Sequence, residues 1–348
     1  VFALGSVTST FGLPGVEERA LPLKTLEDAE RLRNHMVAIL EAADVTTDPA
    51  ARRRLLRFVF VGGGFTGVEA AGEMLDFFRS VSHFYRTIDR KEIEVVLIEG
   101  GHKLLPDLQA GMGEYSARAL SERGVRVMLD TLVAGADADG INLRNGEHIA
   151  TDTIVWSAGV RPAPLIATLG LATRRGAIIT SEDMSIPDHP GLWAIGDCAA
   201  IPTQTGDTHP QTAQHAIREG PSLAANIVAT LRNLPTKPFR YQSLGMMASL
   251  GGRRGVAGLG GKYLLTGFLA WVLWRTYYLA RLPGLDRRLR VTFDWTLGLL
   301  FPRDIAELRV YSKMEGKPGQ YTPNTRAEPS IEPSAASSRS ESTSAISQ

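Results

Sequence analysis

Glycines at 62, 64 and 67 stand between an apolar run and a helical pattern, in Arg57-Phe58-Val59-Phe60-Val61-Gly62-Gly63-Gly64-Phe65-Thr66-Gly67-Val68-Glu69. This is G-x-G-x-x-G in strand–turn–helix order, an arrangement that holds a dinucleotide pyrophosphate. Gly62 permits the tight turn, Gly64 lets the backbone approach the phosphates without a Cβ, and Gly67 lets the helix pack on the strand. Gly63, Phe65 and Thr66 complete the loop, and the free N–H groups of the helix start face the anion. The next apolar strand, Ile93 to Ile98, ends at Glu99. A carboxylate there accepts from both hydroxyls of an adenosine ribose and repels a 2′-phosphate, which favours NADH. The spacing from Gly62 exceeds the usual roughly 20 residues. Phe77 to Glu92 reads as a lengthened helix and connection that accounts for the surplus.

Other polar residues occupy positions where they could act. Glu69 lies at the start of the nucleotide helix, where the dipole favours a carboxylate. It is either an acid of the site or an ordinary helix-start acid. Asp197 follows Gly196 after the apolar run Leu192–Ile195. Ligands of α/β sheets bind at such strand ends, and a plain turn aspartate is the alternative. A helix spans about Ala213 to Leu231, and Pro221 marks a kink. Gln214 and Arg218 are one helical turn apart on one face; Gln214 as a mere surface amide is the competing reading. The single cysteine, Cys198, excludes a redox-active pair within the chain, and with it disulfide reductase chemistry. It reads as a small buried residue. The seven histidines show no metal spacing, and His209 and His215 read as solvated.

These residues need elements to position them. At 348 residues, and with about 150 per domain, the chain holds about two domains. With 38 basic and 37 acidic side chains, nothing points to nucleic acid. The chain opens without Met inside an apolar run, Val1 to Ser6, which reads as the end of a buried strand and suggests an N-terminal truncation. Residues 1–51 continue with a Gly12-Leu13-Pro14-Gly15 turn. A helix follows with Leu26, Ala29, Leu32, His35, Met36 and Ile39 as its apolar stripe, and Asp48-Pro49 breaks it. Residues 52–160 form the nucleotide unit: a helix over Met112–Arg123, a strand over Val125–Leu129, hairpin signals at Asp139-Gly140 and Asn145-Gly146, and a strand over Thr153–Gly159. Residues 161–255 carry Asp197 and the Gln214 helix.

Residues 256–312 differ in character. Tyr263 to Trp274 carry no charge, and a second apolar run, Val291 to Phe301, is flanked by Arg287, Arg288, Arg290 and Arg303. Each falls short of the roughly 18 apolar residues of a spanning helix. Trp, Phe, Tyr and Leu beside arginines suit a membrane surface across 263–301; a buried hairpin or dimer interface is the alternative. Lys262 reads as snorkelling to headgroups. Residues 313–348, rich in Ser and Pro, read as disordered.

Three motifs line up in order: Val59 to Glu69, Thr153-Ile154-Val155-Trp156-Ser157-Ala158-Gly159-Val160-Arg161-Pro162, and Leu192-Trp193-Ala194-Ile195-Gly196-Asp197. They resemble the flavoproteins with two dinucleotide-binding domains. Among these the chain resembles type II NADH dehydrogenases, the non-pumping NADH:quinone oxidoreductases. Pro210-Gln211-Thr212-Ala213-Gln214-His215-Ala216 is similar to the segment lining their quinone site. The aromatic C-terminus is similar to their membrane anchor. The likeness covers roughly residues 1–312. It implies an α/β fold of two Rossmann-like dinucleotide-binding domains, the FAD domain incomplete and the NADH domain inserted in it, plus a C-terminal membrane-surface helical region.

The resemblance implies FAD and NADH as cofactors and places Ala158, Gly159, Gly196 and Asp197 near them. It directs the N–H groups at Ala213 and Gln214 to the isoalloxazine and sets Glu69 near the flavin–nicotinamide contact. It gives Gln214 to the quinone site; the family carries a second glutamine where this chain has Arg218, and on the same helix face Arg218 either meets a quinone oxygen or marks a branch with another acceptor. It implies a peripheral protein at the cytoplasmic face of the cell membrane, with a homodimer left open. A soluble NADH-dependent flavoprotein with another acceptor, and an inactive NAD-binding fragment lacking FAD, remain as alternatives.

Overall fold

The computed structural model describes residues 1–243, 245–260 and 263–300, apart from the side chains of Leu299 and Leu300. Lys262, Phe301, Arg303, the end of the 256–312 region and the 313–348 tail lie outside the described residues.

The chain begins with β1 (Ser6–Thr8), the one-turn α1 (Val16–Arg19) and the short β2 (Leu21–Pro22). Thr25 then accepts from the Asp28 amide while the Asp28 carboxylate accepts from the Thr25 amide. This capping box starts α2 (Leu26–Val45). Asp48 accepts from the amides of Ala50 and Ala51, and Pro49, with no N–H to satisfy, opens α3 (Pro49–Leu55). Asp48-Pro49 thus ends one helix and starts another. The stripe of α2 is rotated from the expected one: Leu32, Met36, Leu40 and Ala43 are buried, and Leu26 is exposed.

The nucleotide unit follows as β3 (Arg57–Val61), α4 (Phe65–Val81), β4 (Glu94–Ile98), α5 (Met112–Glu122) and β5 (Val125–Met128). A meander of β6 (Val133–Ala136), β7 (Gly140–Leu143) and β8 (His148–Ala150) leads to β9 (Thr153–Trp156). Five strands pair in parallel in the order β2-β9-β3-β4-β5. Alternation along β3 serves two cores. Phe58 and Phe60 pack with α2 and α4, and Val59 and Val61 pack with the meander. With both faces covered, the strand is apolar throughout. Residues before 52 also pack with this sheet. Leu21 pairs with Val155, and Leu32, Met36 and Leu40 share a core with Phe58 and Phe60.

β10 (Val160–Pro162) returns antiparallel to β1. Beyond it, β11 (Thr173–Arg174), β12 (Ala177–Ile179) and β13 (Ala199–Ala200) form a small sheet, and α6 (Ala213–Leu231) runs continuously through Pro221. Phe2 bridges to Ala194 and packs against the core of Ile178, Trp193 and Leu223, so the first residues belong to this unit.

The C-terminal region contains an antiparallel sheet of β14 (Gly245–Ser249), β15 (Gly255–Leu259) and β16 (Tyr263–Thr266). Its glycine-rich strands give weak alternation, and sequence reasoning did not find it. The uncharged run from Tyr263 divides: its first four residues pair as β16, and the rest enter α7 (Gly267–Arg281). α8 (Leu285–Leu300) follows. Phe268, Leu269, Leu285, Leu289 and Phe293 are exposed along these helices, a concentration of apolar side chains that points to an interaction surface. Among the described residues, no helix is long and apolar enough to cross a membrane.

Candidate functional site

The loop after β3 is closed toward the protein and open on one side. Gly62 has φ +112°, and a Cβ on it would lie 2.7 Å from the Ala158 Cα. A Cβ on Gly67 would run into the Gly62 carbonyl oxygen, so the helix start lies directly on the turn. A Cβ on Gly64 would meet nothing within 4 Å. Gly64 is therefore the glycine whose bareness serves space outside the protein. No side chain caps the α4 N-terminus at Gly64, and Phe65 and Thr66 begin the helix with their amides clear of side-chain acceptors.

Glu99 is fixed before any ligand arrives. Its Oε2 accepts from the Gly63 amide at 2.5 Å and its Oε1 from the Gly101 amide at 2.7 Å. Each oxygen keeps acceptor capacity for a ribose hydroxyl. Across the loop, Ser157 donates to the Val61 carbonyl at 3.0 Å, tying the end of β9 to the end of β3. Ala158 backs Gly62, and Gly159 lies under the ring of exposed Phe11, which a Cβ would push aside.

Glu69 reaches β14 and α7. Its Oε1 accepts from the Ser249 amide on β14 at 2.9 Å and from the Trp274 indole Nε1 on α7 at 2.8 Å. Burial raises its pKa to about 7; the two hydrogen bonds oppose that rise, and neighbouring Glu73 adds to it. It is thus a partly buried acid rather than an ordinary helix-start residue. It belongs to a polar seam along α4 at i, i+3, i+4 and i+7 spacing. Gly72 lies against the Leu250 carbonyl, where a Cβ would come within 2.5 Å of the oxygen. Glu73 accepts from the Ser249 hydroxyl at 3.2 Å, and Asp76 accepts from the Gly252 amide and pairs with buried Arg123. Sequence reasoning missed Glu73, Asp76, Arg123 and Trp274. Acids at 69, 73 and 76 on one face of an otherwise apolar helix were the available signal.

Asp197 occupies a turn at Gly196, which has φ +72°. Its carboxylate accepts from the Ser6 hydroxyl at 2.6 Å and pairs with Lys24 at 3.4 Å. A cavity of about 390 Å³ opens beside this pair, lined by Ser6, Thr8, Lys24, Asp28, Trp156 and Arg161. The turn is held from below by Glu219, whose Oε2 accepts from the Gly196 amide at 2.6 Å. Burial raises the Glu219 pKa and the adjacent Asp197 adds to the rise, against that hydrogen bond. Cys198 is buried, and its thiol donates to the Ile195 carbonyl at 3.2 Å, as a small interior residue would.

The Gln214 amide is engaged on both sides. Nε2 donates to the Gly245 carbonyl at 3.0 Å, and Oε1 accepts from the Tyr241 hydroxyl at 3.1 Å. The Arg218 guanidinium lies 4.2 Å from the centre of the Tyr241 ring and donates to the Gln214 carbonyl at 2.8 Å. Tyr241, which joins the two, carried no sequence signal. His215 is buried rather than solvated: it bonds to the Thr212 hydroxyl at 2.8 Å and packs with His209 and Tyr241. Burial lowers the pKa of both histidines. Gln214 meets β14 at Gly245 and Glu69 meets it at Ser249. At about 3.3 Å per residue, these contacts are roughly 13 Å apart along one strand. The nucleotide helix, the α6 amide and the aromatic C-terminus therefore share β14. Among the described residues no group of three or more His, Cys, Asp or Glu could hold a metal ion.

Residues 1–220 match the pyridine nucleotide-disulphide oxidoreductase family, and residues 243–304 match the NDH2 C-terminal domain. A probable NADH dehydrogenase of Dictyostelium discoideum is 32% identical over 313 residues, covering 88% of this chain and 68% of that protein. The type II NADH:quinone oxidoreductase Ndh of Mycobacterium tuberculosis is 31% identical over 316 residues, covering 87% and 67%. The chain therefore spans about two-thirds of the length of these relatives. The fold matches that of NDH2 from Plasmodium falciparum, solved in complex with NADH, with a TM-score of 0.81 at 20% identity over 87% of this chain and 77% of that one. The family match over most of the chain, the matching C-terminal domain and these relatives show that the chain belongs to the type II NADH dehydrogenases, within the pyridine nucleotide-disulphide oxidoreductase family.

Proposed function

We propose that this protein is an FAD-dependent NADH:quinone oxidoreductase. It takes a hydride from NADH and delivers two electrons to a membrane quinone without pumping protons. The observation that carries the reading is the position of Glu69, a carboxyl with a pKa of about 7 that joins the nucleotide helix to β14 and the aromatic α7. The names of the relatives, NADH:quinone oxidoreductase among them, support the same assignment.

NADH would bind over Gly62–Gly67. The clear space at Gly64 and the uncapped α4 N-terminus suit the pyrophosphate, and Glu99 would take the ribose hydroxyls. The residues at the other end fit a flavin. Asp197 is exposed enough to accept from a ribityl hydroxyl, and no side chain caps the α6 N-terminus at Ala213 and Gln214. When bound there, FAD would supply the hydride acceptor and two-electron donor that the side chains lack. Glu219 holds the Gly196–Asp197 turn, Gln214 ties α6 to β14, and Glu69 holds a proton near neutral pH at the other end of the same strand. Arg218 supplies a fixed cation for the oxygens of a quinone. In this reading the start of the chain and residues 161–255 form the flavin unit, the β3 sheet with β2 and α2 forms the NADH unit, and 256–312 is the membrane-associating region. The exposed apolar side chains of α7 and α8 would rest on the cytoplasmic face of the cell membrane.

The test is turnover by FAD-loaded protein. NADH oxidation that depends on a short-chain quinone, together with co-sedimentation with anionic liposomes, is expected. NADH oxidation indifferent to quinone, by protein that stays in the supernatant, would favour a soluble reductase with another acceptor.

A further inference from the structure

The aromatic helix α7 presents three different faces. Phe268 and Leu269 are exposed. Arg275 turns toward α8, sandwiched between Trp271 at 4.9 Å and Trp295 at 4.1 Å. Trp274 turns the other way, into α4, where its indole N–H reaches the Glu69 carboxylate. A half-buried indole N–H is best satisfied by an acceptor, and here the acceptor is the acid read above as holding a proton near neutral pH. The Trp274 ring packs on Tyr278, with centroids 5.0 Å apart, and Gly72 and Asp76 of α4 hold the turn that follows β14 at Leu250 and Gly252.

We propose that Trp274 is a positioning residue for Glu69. Its N–H holds the carboxylate on the β14–α7 side of α4, so the C-terminal aromatic helix sets how this acid is presented and how tightly it keeps its proton. The inference rests on the reading of Glu69 as the proton-holding group of the site. Glu73 lies on the same helix as Glu69, Ser249 donates from β14, and Tyr278 and Trp274 come from α7. Glu73 disfavours the carboxylate by like charge; the Ser249 amide and the Trp274 indole favour it. Removing the indole donor leaves one hydrogen bond against the burial cost and the Glu73 charge. Without it the carboxyl should hold its proton to a higher pH, by about one pH unit for the loss of one hydrogen bond to a charged acceptor.

The test compares wild type with Trp274→Phe, which keeps a ring and deletes the donor. Infrared difference spectra of the chain without cofactors are followed across pH, and the protonated-carboxyl band is assigned by its loss in Glu69→Gln. The expected midpoint is near 7 in wild type and about one unit higher in Trp274→Phe. In NADH:quinone turnover, the same substitution should move the pH profile alkaline, and should leave it unmoved when added to Glu69→Gln. Far-UV circular dichroism checks that each variant is folded. An unshifted midpoint in folded Trp274→Phe overturns the proposal. A shifted midpoint in protein that does not reduce quinone supports the positioning role while refuting the proposed reaction.

Discussion

Two substitutions in the nucleotide loop should fail in opposite ways. Gly64 has φ −72°, which any residue adopts, and an added methyl there meets nothing within 4 Å. Gly64→Ala should therefore leave the fold nearly unchanged. As the α4 N-cap, alanine costs roughly 0.5–1 kcal/mol, and the reduced freedom of the unfolded chain returns about 0.4–1 kcal/mol. The methyl does fill the space a pyrophosphate would use to reach the α4 amides. Losing two hydrogen bonds to a charged group, at about 1.5 kcal/mol each, gives about 3 kcal/mol, or roughly a hundredfold weaker NADH binding. Gly67→Ala behaves differently, because its Cβ meets the Gly62 carbonyl oxygen and the Ser157 hydroxyl within the protein. Moving α4 off the turn should cost about 1–3 kcal/mol of stability. Urea denaturation of the chain without cofactors, paired with NADH titration by fluorescence quenching, separates the two. Gly64→Ala that binds NADH like wild type would refute the placement of the pyrophosphate. So would a Gly64→Ala protein that is destabilised as much as Gly67→Ala.

Further outcomes follow from the same geometry. Glu99→Gln should weaken NADH binding by about tenfold, as the ribose loses a charged acceptor, and should narrow the preference for NADH over its 2′-phosphorylated form in parallel titrations. Because burial raises the Glu69 pKa from 4.5 to about 7, the folded state binds more protons than the unfolded state between these values. Stability should therefore fall as pH rises from 4.5 through 7, by up to about 3 kcal/mol; urea midpoints across that range should show the slope, and Glu69→Gln should flatten it. Arg218→Ala, which removes the cation stacked on Tyr241, should raise the quinone KM by about tenfold while leaving anaerobic NADH binding unchanged.

The elements that bury apolar faces were legible in the sequence because periodicity reports burial. The strand–Gly62–helix order of β3 and α4 appears in the structure, and α6 spans Ala213–Leu231 as read from the sequence. Asp139-Gly140 and Asn145-Gly146 mark the two turns of the meander. What periodicity does not encode was harder to read. Leu21-Pro22 is too short to register as a strand and joins the sheet only through its pairing with β9. β14 and β15 alternate poorly because glycines occupy positions where backbone approaches backbone, as Gly255 does against α7. Glu69 was visible as a residue, but its role depended on partners 180 and 205 positions away in the chain, Ser249 and Trp274. The same distance effect hid Tyr241, which links Gln214 to Arg218 from outside their helix. His215 was misassigned as solvated because its burial comes from His209 and Tyr241, which no local pattern predicts.

The central claim is that electrons from NADH leave this protein on a quinone. It is tested most directly by loading the protein with FAD, bleaching the flavin absorption with NADH under anaerobic conditions, and then adding a water-soluble quinone. The absorption should return in step with the formation of one quinol per flavin. A bleach that persists in the presence of excess quinone would contradict it.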